Sequence, residues 1–197
     1  YEAIVASLSE FVRTPVVWAI SFVGVTVLIG GSILLGVGSF GISEGLAGTL
    51  GRWRSVVGAT VATSVLFGVI HMTNPGATPL SVANITLYGI LLGACYTLTG
   101  RLGIACGFHI AWNYTLALWD FPVSGLETGV ALLSTTTTGP VLVTGGRFGP
   151  EGGLVALPLL ALGVGALAWW VRREYGDVGF LTSIAVPDLR LPTHGGQ

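Results

Sequence analysis

The chain is short of charge. Only 9% of its 197 residues are Asp, Glu, Lys or Arg, whereas soluble domains carry about 25%. This scarcity excludes an ordinary soluble domain with a charged surface. The net charge is −1 and none of the eight cations is lysine, so the sequence also lacks the basic surface that nucleic-acid binding requires.

Cysteine is equally scarce. Cys95 and Cys106 are the only two, and their spacing matches neither a Cys-x-x-Cys motif nor a zinc site. A disulfide framework and a cysteine-ligated metal are therefore excluded. Both residues fall within apolar segments, and we predict that they are buried structural thiols.

Long hydrophobic runs are what the chain has instead. Hydrophobic residues make up 52% of it and the mean hydropathy is +0.82. About 20 apolar residues are enough for a helix to span a bilayer. We therefore predict an all-α, polytopic membrane helix bundle with about five transmembrane helices. The expected spans are 15–38, 55–72, 80–99, 102–119 and 153–171.

Three regions follow from this pattern. Residues 1–54 hold the first span and a connector, and residues 55–171 form the membrane core. Within the core, the Gly- and Thr-rich segment 122–151 is predicted as a surface or re-entrant loop. Residues 172–197 are a polar C-terminal tail, of which residues 176–197 are predicted to be loose. The arginine distribution predicts a cytoplasmic C-terminus, because positively charged loops stay inside. The side with more cations carries Arg52, Arg54, Arg101, Arg172 and Arg173.

Two histidines lie in these apolar runs. Phe67 and His71 are four residues apart, as are His109 and Asn113, so each pair shares one helix face. An ionisable side chain inside a membrane helix is costly and marks a candidate functional site. With a rise of about 1.5 Å per residue, His109 lies about 12 Å and His71 about 25 Å from the cytoplasmic edge. A tilt of about 20°, or a later start of the second span, could bring His71 level with Asn113, so the estimate permits a shared intramembrane pocket without establishing it.

The chemistry of these groups leaves several functions open. Neutral imidazoles at His71 and His109 are candidate ligands for Zn²⁺ or another divalent metal, although catalytic zinc usually takes three protein ligands. An imidazole can also act as a general base, and Asn113 can stabilise an oxyanion. Glu44 is the only acidic residue between Glu10 and Asp120, and it is therefore the sole nearby carboxylate candidate. A haem-binding or transport protein that uses both histidines is a further alternative.

The order of these motifs resembles a known family. Phe67-Gly68-Val69-Ile70-His71, followed by His109-Ile110-Ala111-Trp112-Asn113, is similar to the paired motifs of the CPBP family, the CAAX proteases and bacteriocin-processing enzymes also called Abi or type II CAAX endopeptidases. Thr99-Gly100-Arg101-Leu102 and Gly149-Pro150-Glu151-Gly152-Gly153 also resemble segments of that family, the latter of its prokaryotic members. The resemblance implies an integral protein of a prokaryotic cell membrane.

The resemblance also implies a function. His71, His109, Asn113 and Glu44 would be the catalytic residues of an intramembrane metalloendopeptidase-like hydrolase, and its substrates would be membrane-associated peptides or prenylated CAAX-type C-termini. The first motif of the family, Glu-Glu-x-x-x-Arg, is incomplete here, because Glu44 stands alone and no Arg follows at the family's spacing. A catalytically impaired relative that acts as a membrane scaffold or binding protein is therefore the alternative.

Overall fold

The computed structural model describes residues 51–129 and 131–185, and this part of the chain is helical and contains no strand. The helices are α1 (Arg52–Ile70), α2 (Pro79–Thr99), α3 (Leu102–Leu118), α4 (Val141–Thr144) and α5 (Ala156–Tyr175). Short 3-10 turns cover His71–Thr73, Gly146–Phe148, Pro150–Gly152 and Thr182–Ala185. The predicted all-α class is confirmed. The first predicted span, 15–38, and Glu44 lie outside the described residues.

The long helices form a membrane-type bundle. Two segments, Trp53–Thr73 and Pro79–Thr99, are long and apolar enough to cross a bilayer by length and composition. The apolar helix α3 has 17 residues and is shorter. On α5 the side chains of Leu162 and Trp169 are 70% and 63% exposed, as befits a surface that faces lipid. The total of five spans stays a prediction.

The turn between α1 and α2 is specified locally. Thr78 is the N-cap of α2, and its hydroxyl accepts a hydrogen bond from the Ser81 backbone N–H, while the Thr78 N–H donates to the Ser81 hydroxyl. This capping box satisfies two backbone donors that a helix start leaves free. Pro79 occupies the first helical turn, where its missing N–H costs nothing. The turn therefore reverses the chain just after His71.

Small residues let α1 and α2 pack closely. A Cβ on Gly89 would lie 3.0 Å from the Ser64 backbone, and one on Gly93 would lie 2.5 Å from the Thr60 methyl group. Gly89 and Gly93 form a Gly-x-x-x-Gly pair, the spacing that brings membrane helices into backbone contact. Gly68, one turn beyond Ser64, makes the same kind of approach. The α1–α2 pair is therefore held at a fixed, close distance beside the site.

Helix α2 is central in the described bundle. It contacts α1, α3, α5 and the turn Pro150–Gly152. The core side chains come from α1, α2, α5 and the loop after α3. They are Phe67, Ile85, Tyr88, Leu91, Phe148, Ala156 and Leu160. The loop is thus part of the core, since Phe148 is only 1% exposed.

The C-terminal region is more ordered than expected. Residues 172–175 extend α5, and the turn Thr182–Ala185 contacts α1. The Leu181 N–H donates a 2.8 Å hydrogen bond to the Thr97 carbonyl oxygen, one of the acceptors that the end of a helix leaves unpaired. These contacts attach residues 181–185 to α1 and α2, because the end of α2 offers acceptors to this segment. The predicted tail otherwise stays a prediction.

Candidate active site

The ring of Phe67 lies against both predicted site histidines. Its centroid is 4.6 Å from that of His71 and 5.8 Å from that of His109, and both contacts are edge-to-face. Phe67 is buried, and His71 follows it by one helical turn. Residue counts gave different depths for the two histidines, yet both imidazoles lie against the same phenyl ring.

His71 has a defined tautomer. Its Nδ1 lies 2.6 Å from the Phe67 carbonyl oxygen, one turn back along the chain. That oxygen can only accept, so Nδ1 carries the proton in the neutral imidazole. Nε2 consequently keeps its lone pair and can accept a proton or bind a metal.

His109 and Asn113 lie one turn apart on α3, and both are half-buried. His109 lines a cavity between α1, α2 and α3, whereas His71 and Asn113 do not line it. No hydrogen bond of the Asn113 carboxamide is found within residues 51–129 and 131–185. The three predicted residues thus lie in one region, but only His109 borders its cavity.

The cavity is mostly apolar with a few polar groups. Tyr88, Trp112 and Phe108 contribute aromatic surface, and the Tyr88 hydroxyl is buried without a hydrogen-bond partner among the described residues. The indole of Trp112 packs on the Tyr88 ring with centroids 5.0 Å apart. The cavity has room for about one water molecule and is smaller than a pocket that encloses a whole ligand.

Among the described residues, Glu151 is the carboxylate that lines this cavity, in addition to the predicted candidate Glu44, which lies outside them. Glu151 is 3% exposed and accepts hydrogen bonds at 2.9 Å from Trp112 Nε1, at 2.6 Å from the Ser124 N–H and at 2.9 Å from the Ser124 hydroxyl. It reaches the site from a distant part of the sequence because the 122–151 loop folds back onto the bundle. The sequence signals were the acidic residue in a Gly-rich segment and the resemblance of the segment 149–153 to the family.

Burial and hydrogen bonding shift the pKa of Glu151 in opposite directions. Loss of solvent raises the pKa of its carboxyl group above the usual range, and the bonds from Trp112 and Ser124 lower that pKa in part. The proton affinity is raised because an anion without water is costly in a buried site. All three donors are neutral, and none of the described cations compensates the charge.

The predicted metal ligands, His71 and His109, both lie in the described part of the chain. Among residues 51–129 and 131–185 there is no group of three or more His, Cys, Asp or Glu side chains that could hold a metal ion. His71 and His109 supply two imidazoles, and the carboxylate of Glu151 is already engaged by its donors. Cys95 and Cys106 are free thiols and lie in other places on α2 and α3.

Comparison with known proteins bears on this region directly. Residues 40–115 match the family model described as type II CAAX prenyl endopeptidase Rce1-like. No curated protein and no solved structure matches the chain. The matched segment contains both histidine motifs and Glu44, and it ends just after Asn113. This match covers the segment that carries the paired motifs, and it supports a relationship of the chain to the CPBP family of CAAX-type membrane proteases.

Proposed function

We propose that the chain is an intramembrane endopeptidase that hydrolyses membrane-associated peptides or prenylated CAAX-type C-termini. The observation that carries the proposal is the meeting of His71 and His109 around Phe67, within the segment that matches the CAAX endopeptidase model. Two imidazoles packed against a common ring in an apolar bundle are difficult to explain by stability alone, because buried polar groups cost free energy.

The proposed reaction is attack of water on a peptide carbonyl. His71 Nε2 has a free lone pair because Nδ1 donates to Phe67, so Nε2 is suited to accept the proton of the attacking water. The water oxygen bonds to the carbonyl carbon, and the carbonyl oxygen becomes an oxyanion. His109 and the Asn113 carboxamide would donate to that oxyanion. Collapse breaks the C–N bond, and His71 returns the proton to the leaving amine.

A divalent metal enters the proposal only as chemistry that His71 and His109 could support. Zn²⁺ bound there would polarise the carbonyl or acidify a water. A third protein ligand would have to come from outside the described residues, and Glu44 is the candidate within the matched segment. The steps above are therefore written for the side chains alone.

The test is cleavage of a fluorogenic farnesylated CAAX peptide by the purified protein in liposomes. We expect H71A and H109A to lower the rate by about 10²–10⁴-fold, the contribution typical of a positioned acid or base. His194, the third histidine of the sequence, provides the matched control, and H194A should cleave at the wild-type rate. E44Q tests Glu44 as an additional proton acceptor. Equal cleavage by H109A and H194A would refute the assigned site.

A second candidate function is a binding protein that has kept the fold and lost turnover. It is favoured by the incomplete first motif, in which Glu44 has neither a second Glu nor an Arg at the family's spacing. In that case the wild type would bind the farnesylated peptide in liposomes without cleaving it. Restoring a second Glu with G45E would then be expected to leave binding intact and to introduce measurable hydrolysis.

A further inference from the structure

We propose that Glu151 is a positioning residue that sets the orientation of the α3 segment carrying His109 and Asn113. This inference rests on the proposed function, because it assigns Glu151 a role in that site. It is carried by contacts of the Glu151 side chain and backbone with three separate parts of the bundle. None of these contacts involves the predicted catalytic side chains themselves.

The backbone of Glu151 is fastened to the central helix. The side-chain amide of Asn84, on α2, donates hydrogen bonds of 2.9 Å to the carbonyl oxygens of Glu151 and Gly153. Asn84 is 1% exposed, so water does not compete for these bonds. These bonds fix the position of the turn Pro150–Gly152 on α2. They thereby also fix the backbone from which the Glu151 side chain extends.

From that point the carboxylate reaches α3. One oxygen accepts the 2.9 Å bond from Trp112 Nε1. Trp112 follows His109 by three residues, so the two side chains are neighbours on one face of α3, and Asn113 is the next residue along the chain. This indole is also held by the Tyr88 ring. A rotation of α3 about its axis would break the indole bond, and the bond thus opposes the rotation that would turn His109 out of the cavity.

The other carboxylate oxygen fixes the chain that leaves α3. It accepts bonds from both the backbone N–H and the hydroxyl of Ser124. Ser124 has a φ of 49°, a left-handed conformation that side chains other than Gly adopt at a cost and that the surrounding structure must impose. Glu151 therefore holds α3 at its indole and its following loop in one geometry.

The pattern of donors predicts how a glutamine would behave. The Trp112 indole and the Ser124 backbone can only donate, and they point at different oxygens of Glu151. The side chain introduced by E151Q has one accepting oxygen, so it can satisfy Trp112 or Ser124 but must turn an NH₂ group toward the other donor. In W112F the indole donor is absent, and that single oxygen would be free to turn to Ser124. The two substitutions are therefore expected to be non-additive.

The experiment is a double-mutant cycle of E151Q and W112F in the farnesyl-peptide assay, with rates expressed per folded molecule. A misplacement of about 1 Å can lower a rate about 10²-fold, so we expect E151Q to lower kcat by about 10–10²-fold with KM changed less than about twofold. In the W112F background the same substitution should lower kcat less than about threefold. E174Q, at an exposed glutamate on α5, is the matched control and should leave kcat unchanged.

Two outcomes would overturn the proposal. One is an E151Q protein with normal kcat per folded molecule and only reduced thermal stability, which would make Glu151 merely structural. The other is strict additivity of E151Q and W112F. If the E151Q protein does not fold, W112F alone must lower kcat with little change in KM.

Failure of the proposed function can be distinguished from failure of the positioning role of Glu151. If the wild type cleaves nothing, the ¹⁵N resonances of labelled histidine, assigned with H71A and H109A, replace the rate as the readout. Displacement of the His109 imidazole signals by E151Q, or by W112F, without change in E174Q would then support the positioning role. Unmoved His109 signals would refute it.

Discussion

A methyl group added at Gly68 tests whether the close packing of α1 and α2 positions the site. Gly68 lies between Phe67 and His71 in the first histidine motif. A Cβ at this position would lie 2.8 Å from the Val82 carbonyl oxygen and 3.3 Å from the Thr86 Cβ, and it would clash with the Thr86 hydroxyl. The hydroxyl could move, but the Val82 oxygen belongs to the backbone of α2. The two helices would have to separate.

The expected cost follows from two opposing terms. Overpacking a close contact costs about 1–3 kcal/mol, while replacing Gly by Ala inside a helix returns about 1 kcal/mol. We therefore expect G68A to lower the free energy of unfolding by up to about 2 kcal/mol. G165A is the matched control, because a Cβ on Gly165, in α5, meets nothing within 4 Å, and it should be neutral or stabilising.

The assay is unfolding by SDS in mixed micelles, followed by far-UV circular dichroism, together with peptide cleavage. G68A should unfold at lower SDS than both the wild type and G165A, and its kcat should fall because His71 and Phe67 move with α1. Adding T86A should relieve the hydroxyl clash and restore only part of the stability, since the Val82 oxygen remains. A G68A protein as stable as G165A would refute the close-packing argument.

Two further substitutions test buried polar groups, and the same SDS titration measures both. Y88F removes a buried hydroxyl that has no partner among the described residues. We therefore expect unchanged stability or a gain of up to about 1 kcal/mol. A clear loss of stability would mean that the hydroxyl has an important partner. N84A removes the amide donor of the Glu151 and Gly153 carbonyl oxygens. The Gly153 oxygen keeps the 3.1 Å bond from the Ala156 N–H, so one oxygen is left unsatisfied and we expect a loss of about 1–3 kcal/mol. N84L fills the volume without the donor and should be no better than N84A, whereas a neutral N84A would contradict the anchoring of the turn.

Much of the helix layout could be predicted because its signals are local. Charge-free runs of about 20 residues, Pro79 at a helix start and Gly100 at a helix end depend only on neighbours along the chain. The α2 helix, Pro79–Thr99, accordingly agrees closely with the expected span 80–99. The two motifs likewise marked His71, His109 and Asn113 without any knowledge of packing.

The loop after α3 could not be predicted in this way. Its composition indicated a surface or re-entrant segment, yet Phe148 and Glu151 are almost fully buried. The position of Glu151 depends on partners far away in sequence, namely Asn84, Trp112 and Ser124. No local pattern encodes hydrogen bonds between residues 27 to 67 positions apart. The sequence therefore marks Glu151 only as part of the segment 149–153, which resembles the family.

The sequence by itself determined a helical membrane-type bundle, the placement of its apolar segments and the paired histidine motifs, since periodicity, hydropathy and caps act over a few residues. Only the tertiary structure decided which groups meet. His71 follows Phe67 by one turn, and the packing of α1 and α3 on α2 brings His109 to the same ring. The return of the loop sets a buried carboxylate beside the helix of His109. Such contacts depend on the relative depth and rotation of whole helices, which are set by packing and by long-range hydrogen bonds.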